Sequence, residues 1–304
     1  MKVVALSGGV GGARLVDGLA ASLSDEELQV IVNTGDDFRH CGLWICPDLD
    51  TVMYTLSGRA PIERGWGLAV ESDACMKALK QLGGPSWFHL SDQDLATHLL
   101  RAKGLEEGLS LSQISERLFR AHGLKTRVHP MCDAPHPTRL LCDGTEMEFQ
   151  EWFVAQQAKP TVQAVCFPPQ GIAAEAALKA IFEAELIIIT PSNPYLSIDP
   201  MLSLPAFKEA LKNRSGACVA ISPIVGGRAI KGPLGQLIPA LAARPASAAA
   251  VVDHYGDLVD AWVVERGDEA GFNGPVLETD TVMKSRDDRK SLAGAVLDWA
   301  QSLG

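Results

Sequence analysis

The chain lacks the marks of an exported or membrane-spanning protein. No apolar stretch approaches bilayer length, and runs such as Leu186–Ile189 are far too short to span one. No charged region followed by an apolar run of signal length opens the sequence. Cysteine is sparse and odd in number: Cys41, Cys46, Cys75, Cys132, Cys142, Cys166 and Cys218. So scattered a set, without an export signal, is expected to be reduced thiols in a cytoplasm. The nearest metal-like grouping, His129-x-x-Cys132-x-x-x-His136, has no paired Cys-x-x-Cys and is interrupted by prolines, which argues against structural zinc.

Positive charge is also in deficit. Lys and Arg number 27 against 37 Asp and Glu, a formal net charge of -10. That opposes broad binding to nucleic acid or anionic membranes, while leaving room for a local basic pocket. No Ser-His-Asp or Cys-His assembly shows in local spacing. Repeats and low-complexity linkers are absent, so residues 1–304 are expected to form one elaborated domain. The composition, 47% hydrophobic and 21% charged, is ordinary for a globular protein with an extensive core.

What is present begins at once. Lys2–Leu6 reads as a buried strand that runs into Ser7-Gly-Gly-Val-Gly-Gly12, and Ala13–Leu23 carries Leu15, Val16, Leu19 and Leu23 on one helical face. A strand, a glycine loop and a helix N-terminus make an anion-binding corner, because free helical N–H groups point at phosphate oxygens. Neither common phosphate signature fits. From Gly9, the dinucleotide pattern meets Gly11 and then Arg14 where a third glycine belongs, and no Gly-Lys-Ser/Thr follows.

Further strands are expected at Gln29–Asn33, Val162–Phe167, Leu186–Thr190 and Ala217–Ser222, and helices at Ile172–Glu183, Met201–Lys212 and Arg286–Ser302. Short, nearly continuous apolar strands alternating with amphipathic helices predict an α/β fold. Its core is a Rossmann-like, mostly parallel sheet with helices on both faces. Ligands then belong at the C-terminal strand ends. The stretch from about Glu71 to Gly123 reads as helical. Thr138–Cys142 and Glu146–Phe153 read as a hairpin turning near Asp143-Gly144, so residues 71–154 are expected to form a cap insertion over that edge.

Acidic residues gather at the same edge. Asp36 and Asp37 end the second strand, and Asp48 and Asp50 stand just before an apolar helix from Thr51 to Leu56. Carboxylates beside a phosphate loop suit Mg²⁺, which takes one or two of them together with phosphates and waters. Helix capping accounts for one of these acids but poorly for four. Ser91-Asp-Gln-Asp-Leu-Ala-Thr-His98 is a second acidic knot at a helix start. Pro191-Ser-Asn-Pro194 and Ser222-Pro-Ile-Val-Gly-Gly-Arg228 follow strands and, with the first glycine loop, favour a nucleotide site. Arg228 and Lys231 are candidate phosphate partners. Trp66 and Phe149-Gln-Glu-Trp-Phe153 could stack on a planar ligand, although core packing is the commoner use of such spacing.

In order along the chain, these segments resemble the 2-phospho-L-lactate transferases of coenzyme F-420 biosynthesis. The matching motifs are Ser7-Gly-Gly-Val-Gly-Gly12, Asn33-Thr-Gly-Asp-Asp37, Cys46-Pro-Asp-Leu-Asp-Thr-Val52, Asp92-Gln-Asp-Leu-Ala-Thr-His98, Pro130-Met-Cys-Asp133, Phe149-Gln-Glu-Trp-Phe153, Pro191-Ser-Asn-Pro194 with Ser197-Ile198, and Ser222-Pro-Ile-Val-Gly-Gly227 with Lys231-Gly-Pro233. The resemblance implies a Mg²⁺-dependent transfer from a small acid linked through a diphosphate to guanosine. The acceptor is the deazaflavin Fo, and GMP leaves. The acid is 2-phospho-L-lactate or its phosphoenolpyruvate- or phosphoglycerate-derived analogue, and the assembly a homodimer.

Under that resemblance Fo contacts fall on Asp50 and His89. Asp50 serves as metal ligand or orients the acceptor hydroxyl, with Asp48, Asp36 and Asp37 as further metal candidates. Gly8, Gly9, Gly11, Gly12, Ser192, Asn193, Ser222, Gly226 and Gly227 are expected to hold the guanosine diphosphate. Relatives often carry a basic residue where His89 stands and usually glycine where Ser91 stands. The rival reading is a YvcK-like nucleotide-binding regulator without transferase activity. A nicotinamide-dependent oxidoreductase is disfavoured by the missing third glycine and the doubled Asp36-Asp37.

Overall fold

The computed structural model of the chain describes residues 1–70 and 72–303. Glu71, where the cap was expected to begin, and Gly304 lie outside the described residues. The central sheet is built from seven strands: β1 (Val3–Ser7), β2 (Leu28–Val32), β3 (Arg127–Pro130), β4 (Leu186–Ile189), β5 (Ala217–Ile221), β6 (Ala261–Glu265) and β7 (Val276–Thr279). All neighbours pair in parallel, in the spatial order β7-β6-β5-β4-β1-β2-β3. The α/β, Rossmann-like fold expected from the sequence is the one found.

The strands are apolar on both sides because both sides are covered. Val4, Leu6, Ile187, Ile189, Trp262 and Val264 join one core, with α-helical cover that includes Ala177, Ile181 and Phe207. Their alternates Val3, Ala5, Val30, Ile188, Val219 and Val263 join the other core, beneath Leu15, Leu19, Val52, Leu118 and Leu292. The two-residue period of a strand thus divides each strand between two layers.

Strand order places the site. The chain leaves β1 for β2 and β3 on one side, then returns to β4 on the other. Crossovers diverge at β1, so a crevice opens beyond the C-terminal ends of β1 and β4. Into it run helix α1 (Gly9–Ser22), helix α2 (Pro47–Leu56) and the turn Pro194–Ile198.

Several expectations are corrected. Val162–Cys166 is a strand, but it pairs antiparallel with Arg139–Cys142 in a separate three-stranded sheet, completed by Thr145–Glu148. Gln163 is exposed, so this strand is covered on one face only and is not a central parallel strand. The strand expected to reach Phe153 stops at Glu148, and Glu151–Ala155 forms a wide helical turn that buries Trp152. The region 71–154 contains the expected helices, α3 (Ala74–Gln81), α4 (Asp92–Glu106) and α5 (Leu111–Ala121), and the hairpin. It also holds β3, however, so part of it belongs to the main sheet. The helix expected over Met201–Lys212 is broken before Pro205, whose ring cannot continue a preceding turn.

Helix α1 lies against the C-terminal helix (Arg286–Ala300) at Gly18, where a Cβ would stand 2.1 Å from the Arg289 carbonyl oxygen. Beside that crossing, buried Asp17 accepts hydrogen bonds from Arg289 at 3.0 Å and Arg286 at 3.2 Å. Gly18→Ala is therefore expected to cost at least about 2 kcal/mol in chemical denaturation, since backbone must move. Gly294→Ala, on the same C-terminal helix with nothing near its Cβ, should instead be neutral or stabilising by up to about 1 kcal/mol.

Candidate active site

At the crevice lies a cavity of about 750 Å³. The glycine corner forms one wall. Gly9 takes a left-handed φ of +66°, which lets the chain turn from β1 directly into α1. The helix thus starts within the loop, earlier than the Ala13 expected from periodicity. Cβ atoms at Gly8, Gly11 and Gly12 would stand 2.5 Å from Ser197 Cβ, 2.6 Å from the Pro191 carbonyl oxygen and 2.6 Å from Ser192 Oγ. The first loop therefore packs closely on the loop after β4, against both its backbone and its side chains.

Ser192 fastens this contact. Its Oγ accepts from the Gly8 N–H at 3.0 Å and donates to the Gly8 carbonyl at 2.7 Å. Asn193 caps the next turn, its Oδ1 accepting from the N–H groups of Tyr195 and Leu196. Both residues line the cavity, as does Ser222, whose hydroxyl closes a turn onto Ile224.

The carboxylates converge through Asn33, which is fully buried at the end of β2. Its Nδ2 lies 2.9 Å from Asp36 Oδ1, 2.9 Å from Asp48 Oδ2 and 3.2 Å from the Leu196 carbonyl oxygen, while its Oδ1 accepts from the Gly35 N–H. Asp48 and Asp50 sit inside the first turn of α2, not before it, because Pro47 supplies the first helical residue. Asp48 reaches away from its own helix, and its Oδ1 accepts the Gly9 N–H of α1 at 2.8 Å. It caps another helix, a role that capping within the local sequence could not reveal.

Burial raises the Asp36 pKa well above the usual carboxylate range, and the charge of Asp48 adds to it. Burial likewise pushes Asp48 up to about 6, against the opposing hydrogen bonds from Asn33 and Gly9. Crowded buried carboxylates of this kind fit a divalent cation, which removes the repulsion. Among the described residues no three His, Cys, Asp or Glu side chains form a ready-made metal cage. A Mg²⁺ ion bound here would therefore complete its shell with water and phosphate.

Asp50 differs. One oxygen pairs with Arg101, and the other, Oδ2, is buried with no hydrogen-bond partner among the described residues and lies 3.7 Å from His98 Nδ1. Arg101 projects from α4 with His98 and Asp94, and Asp94 Oδ1 accepts the Tyr54 hydroxyl at 2.6 Å. Burial opposes the Arg101 charge, but Asp50, Cys46 and Asp37 outweigh it and raise its pKa.

Aromatic side chains also line the cavity: Tyr54, Trp66, Trp87, Phe88, Phe149 and Phe153, with His89 following Phe88. Arg14 and Lys231 line the cavity as well, beside the segment that carries Trp66. Arg14 donates to the Met283 and Ile62 carbonyls, and Lys231 donates to those of Glu63 and Arg64.

Of the residues expected at the site, Gly8, Gly9, Gly11, Asp36, Asp48, Asp50, His89, Ser192, Asn193 and Ser222 line one cavity. Four do not. Gly12 is taken up by packing on Ser192, Ser7 and Thr190. Asp37 is buried beneath the site against the Cys46 thiol, and burial raises its pKa. Gly226 and Gly227 form the exposed turn of a short hairpin, Ile224–Val225 with Arg228–Ala229, where the Gly226 N–H is already held by Asp268. Arg228 is exposed, whereas Lys231 is in the wall. Sequence reading gave no role to Asn33, Arg14 or Arg101. For Arg101 a signal existed: it stands three residues after His98 and seven after Asp94, on one helical face.

The raised Asp48 and Asp36 predict a stability slope. A carboxyl whose pKa is higher folded than unfolded holds its proton in the fold, so stability falls as pH rises. For Asp48 the loss runs from its unfolded value of about 4 to the folded value of about 6. Without divalent ions, the melting temperature of the wild type should therefore drop more steeply across this window than that of Asp48→Asn. Equal slopes would refute the assignment.

The family model described as 2-phospho-L-lactate transferase CofD matches residues 3–290. A protein named phosphoenolpyruvate transferase from Kitasatospora aureofaciens is 41% identical over 88% of this chain and 86% of its own length. One of the same name from Mycobacterium tuberculosis is 36% identical over 92% of this chain and 94% of its own. A crystal structure of a UPF0052 family protein from Bacillus halodurans, at 18% identity, superposes with a TM-score of 0.66 over 97% of this chain and 99% of that one. That last likeness shows the shared fold alone. The motifs gathered in the cavity and these matches lead to one assignment: the chain belongs to the 2-phospho-L-lactate transferase family, whose members include the phosphoenolpyruvate transferases it matches.

Proposed function

We propose that this chain moves a phospho-organic acid group from a guanosine-diphosphate-linked donor to the deazaflavin Fo, releasing GMP. The relatives' names favour phosphoenolpyruvate as the acid, giving the dehydro form of the F-420-0 product. One observation carries the reading: the glycine corner, the Asn33-linked carboxylates and an aromatic wall share a single cavity.

The N-terminal turn of α1 binds the donor's diphosphate through free N–H groups. Asp48 and Asp36 would hold Mg²⁺, which would supply positive charge to the diphosphate and to the leaving GMP. The aromatic wall, with Trp87 and Phe88, packs on the planar ring system of Fo and excludes water. The terminal ribityl hydroxyl oxygen bonds to the phosphorus bearing the acid, and the bond from that phosphorus to the bridging oxygen breaks. That oxygen departs on GMP, and the hydroxyl proton passes to the Asp50 carboxylate, whose Oδ2 has no partner among the described residues. Following the family resemblance, the active species is a homodimer, which light scattering tests.

Incubation with Mg²⁺, Fo and each guanylylated three-carbon acid, read by product mass, should yield the phosphoenolpyruvyl product fastest. A protein that neither binds fluorescent Fo nor forms any product would instead be a nucleotide-binding regulator. Asp50→Asn keeps the shape but loses the base, so kcat should fall ~10²–10⁴-fold. Trp87→Ala should raise the KM for Fo at least about tenfold while leaving the donor KM nearly unchanged.

A further inference from the structure

Arg101 has a chemistry that constrains its neighbours. Its side chain is fully buried, and it donates from Nη1 to the Trp44 carbonyl at 3.3 Å and from Nη2 to Asp50 Oδ1. Nη1 also lies 2.9 Å from His98 Nδ1. A guanidinium has donors only and keeps its proton, so His98 Nδ1 must be the acceptor. The imidazole is then neutral with its hydrogen on Nε2, which faces Asp94 Oδ1 at 3.5 Å. Asp94 is itself held by the Tyr54 hydroxyl.

This arrangement decides which Asp50 oxygen is available. Oδ1 is consumed by Arg101. Oδ2 looks toward His98 Nδ1 at 3.7 Å, but both atoms are acceptors, so no hydrogen bond forms between them. A protonated His98, or the tautomer with hydrogen on Nδ1, would offer Oδ2 a donor and occupy it.

We propose that Arg101 and His98 are positioning residues that hold Asp50 in one rotamer and keep its Oδ2 clear of protein donors, so that the carboxylate meets the acceptor hydroxyl in one geometry. Arg101 fixes the carboxylate through Oδ1 and, by claiming His98 Nδ1, withholds the imidazole hydrogen from Oδ2. Neither residue touches the phosphorus. Their effect is on the geometry of proton acceptance, where a displacement near 1 Å costs on the order of 100-fold in rate.

The inference rests on the proposed transfer, and the two can fail separately. Steady-state kinetics with Fo and the guanylylated phosphoenolpyruvate would be measured for the wild type, Arg101→Ala with and without guanidinium ion, His98→Leu and His98→Asn. Arg101→Ala should lose ~100-fold in kcat with the donor KM within about threefold, and millimolar guanidinium should restore about tenfold or more of that loss. His98→Asn offers an amide oxygen to Arg101 and should exceed His98→Leu in kcat by about tenfold, which keeps the test decisive if Arg101→Ala does not fold.

An inactive wild type would remove the transfer reading itself. With an active wild type, an undiminished kcat in Arg101→Ala overturns the positioning role alone. So does a loss that guanidinium leaves unchanged, or a His98→Leu variant equal to His98→Asn.

Discussion

The site depends on one buried carboxamide. Asn33 stands at the end of β2 with both sides of its amide engaged, joining Asp36, Asp48 and the turn after β4. Through Asp48 it also reaches the start of α1, because the same carboxylate accepts the Gly9 N–H. Segments from β1, β2, α2 and β4 are thus brought to one point by a single side chain. An apolar replacement would strip Asp36 of the Asn33 hydrogen bond and leave Asp48 with the Gly9 N–H alone, a larger loss than one hydrogen bond.

That point is electrostatically incomplete in the bare protein. Acids raised in pKa by burial and mutual repulsion sit beside the positive end of a helix. Asp50, by contrast, has its own cation in Arg101. These three carboxylates in one cavity are therefore equipped differently. The Asn33 pair suits an added cation, whereas Asp50 already carries its counter-charge and retains an unused oxygen. Distinct environments for chemically identical groups are how one site divides metal binding from proton handling.

The fold was legible where local pattern and burial agree. Val3–Ser7, Leu186–Ile189 and Ala217–Ile221 are short, apolar and covered on both faces, and they were read within a residue or two. Edge strands were not: Arg127–Pro130 is half polar and ends in proline, and Val276–Thr279 is only partly buried. Ala261–Glu265, by contrast, is apolar and buried like the central strands. At the site, the glycine loop and Asp36 were legible because they follow strand ends, and Asp48 and Asp50 because they stand at a helix start. Gly226 and Gly227 misled for the same reason, since a glycine pair after a strand also makes an ordinary exposed turn. The part played by Asn33 and Arg101 depends on partners up to 163 and 57 residues away, which no local spacing encodes.

The interdigitation of Gly8, Gly11 and Gly12 with Pro191, Ser192 and Ser197 has a bearing on how such a sequence can drift. Neither loop can accept a bulkier side chain unless the other gives way at the same moment, because each fills the space the other leaves. Two segments some 180 residues apart in the chain are therefore frozen as a pair, like the two halves of a zip.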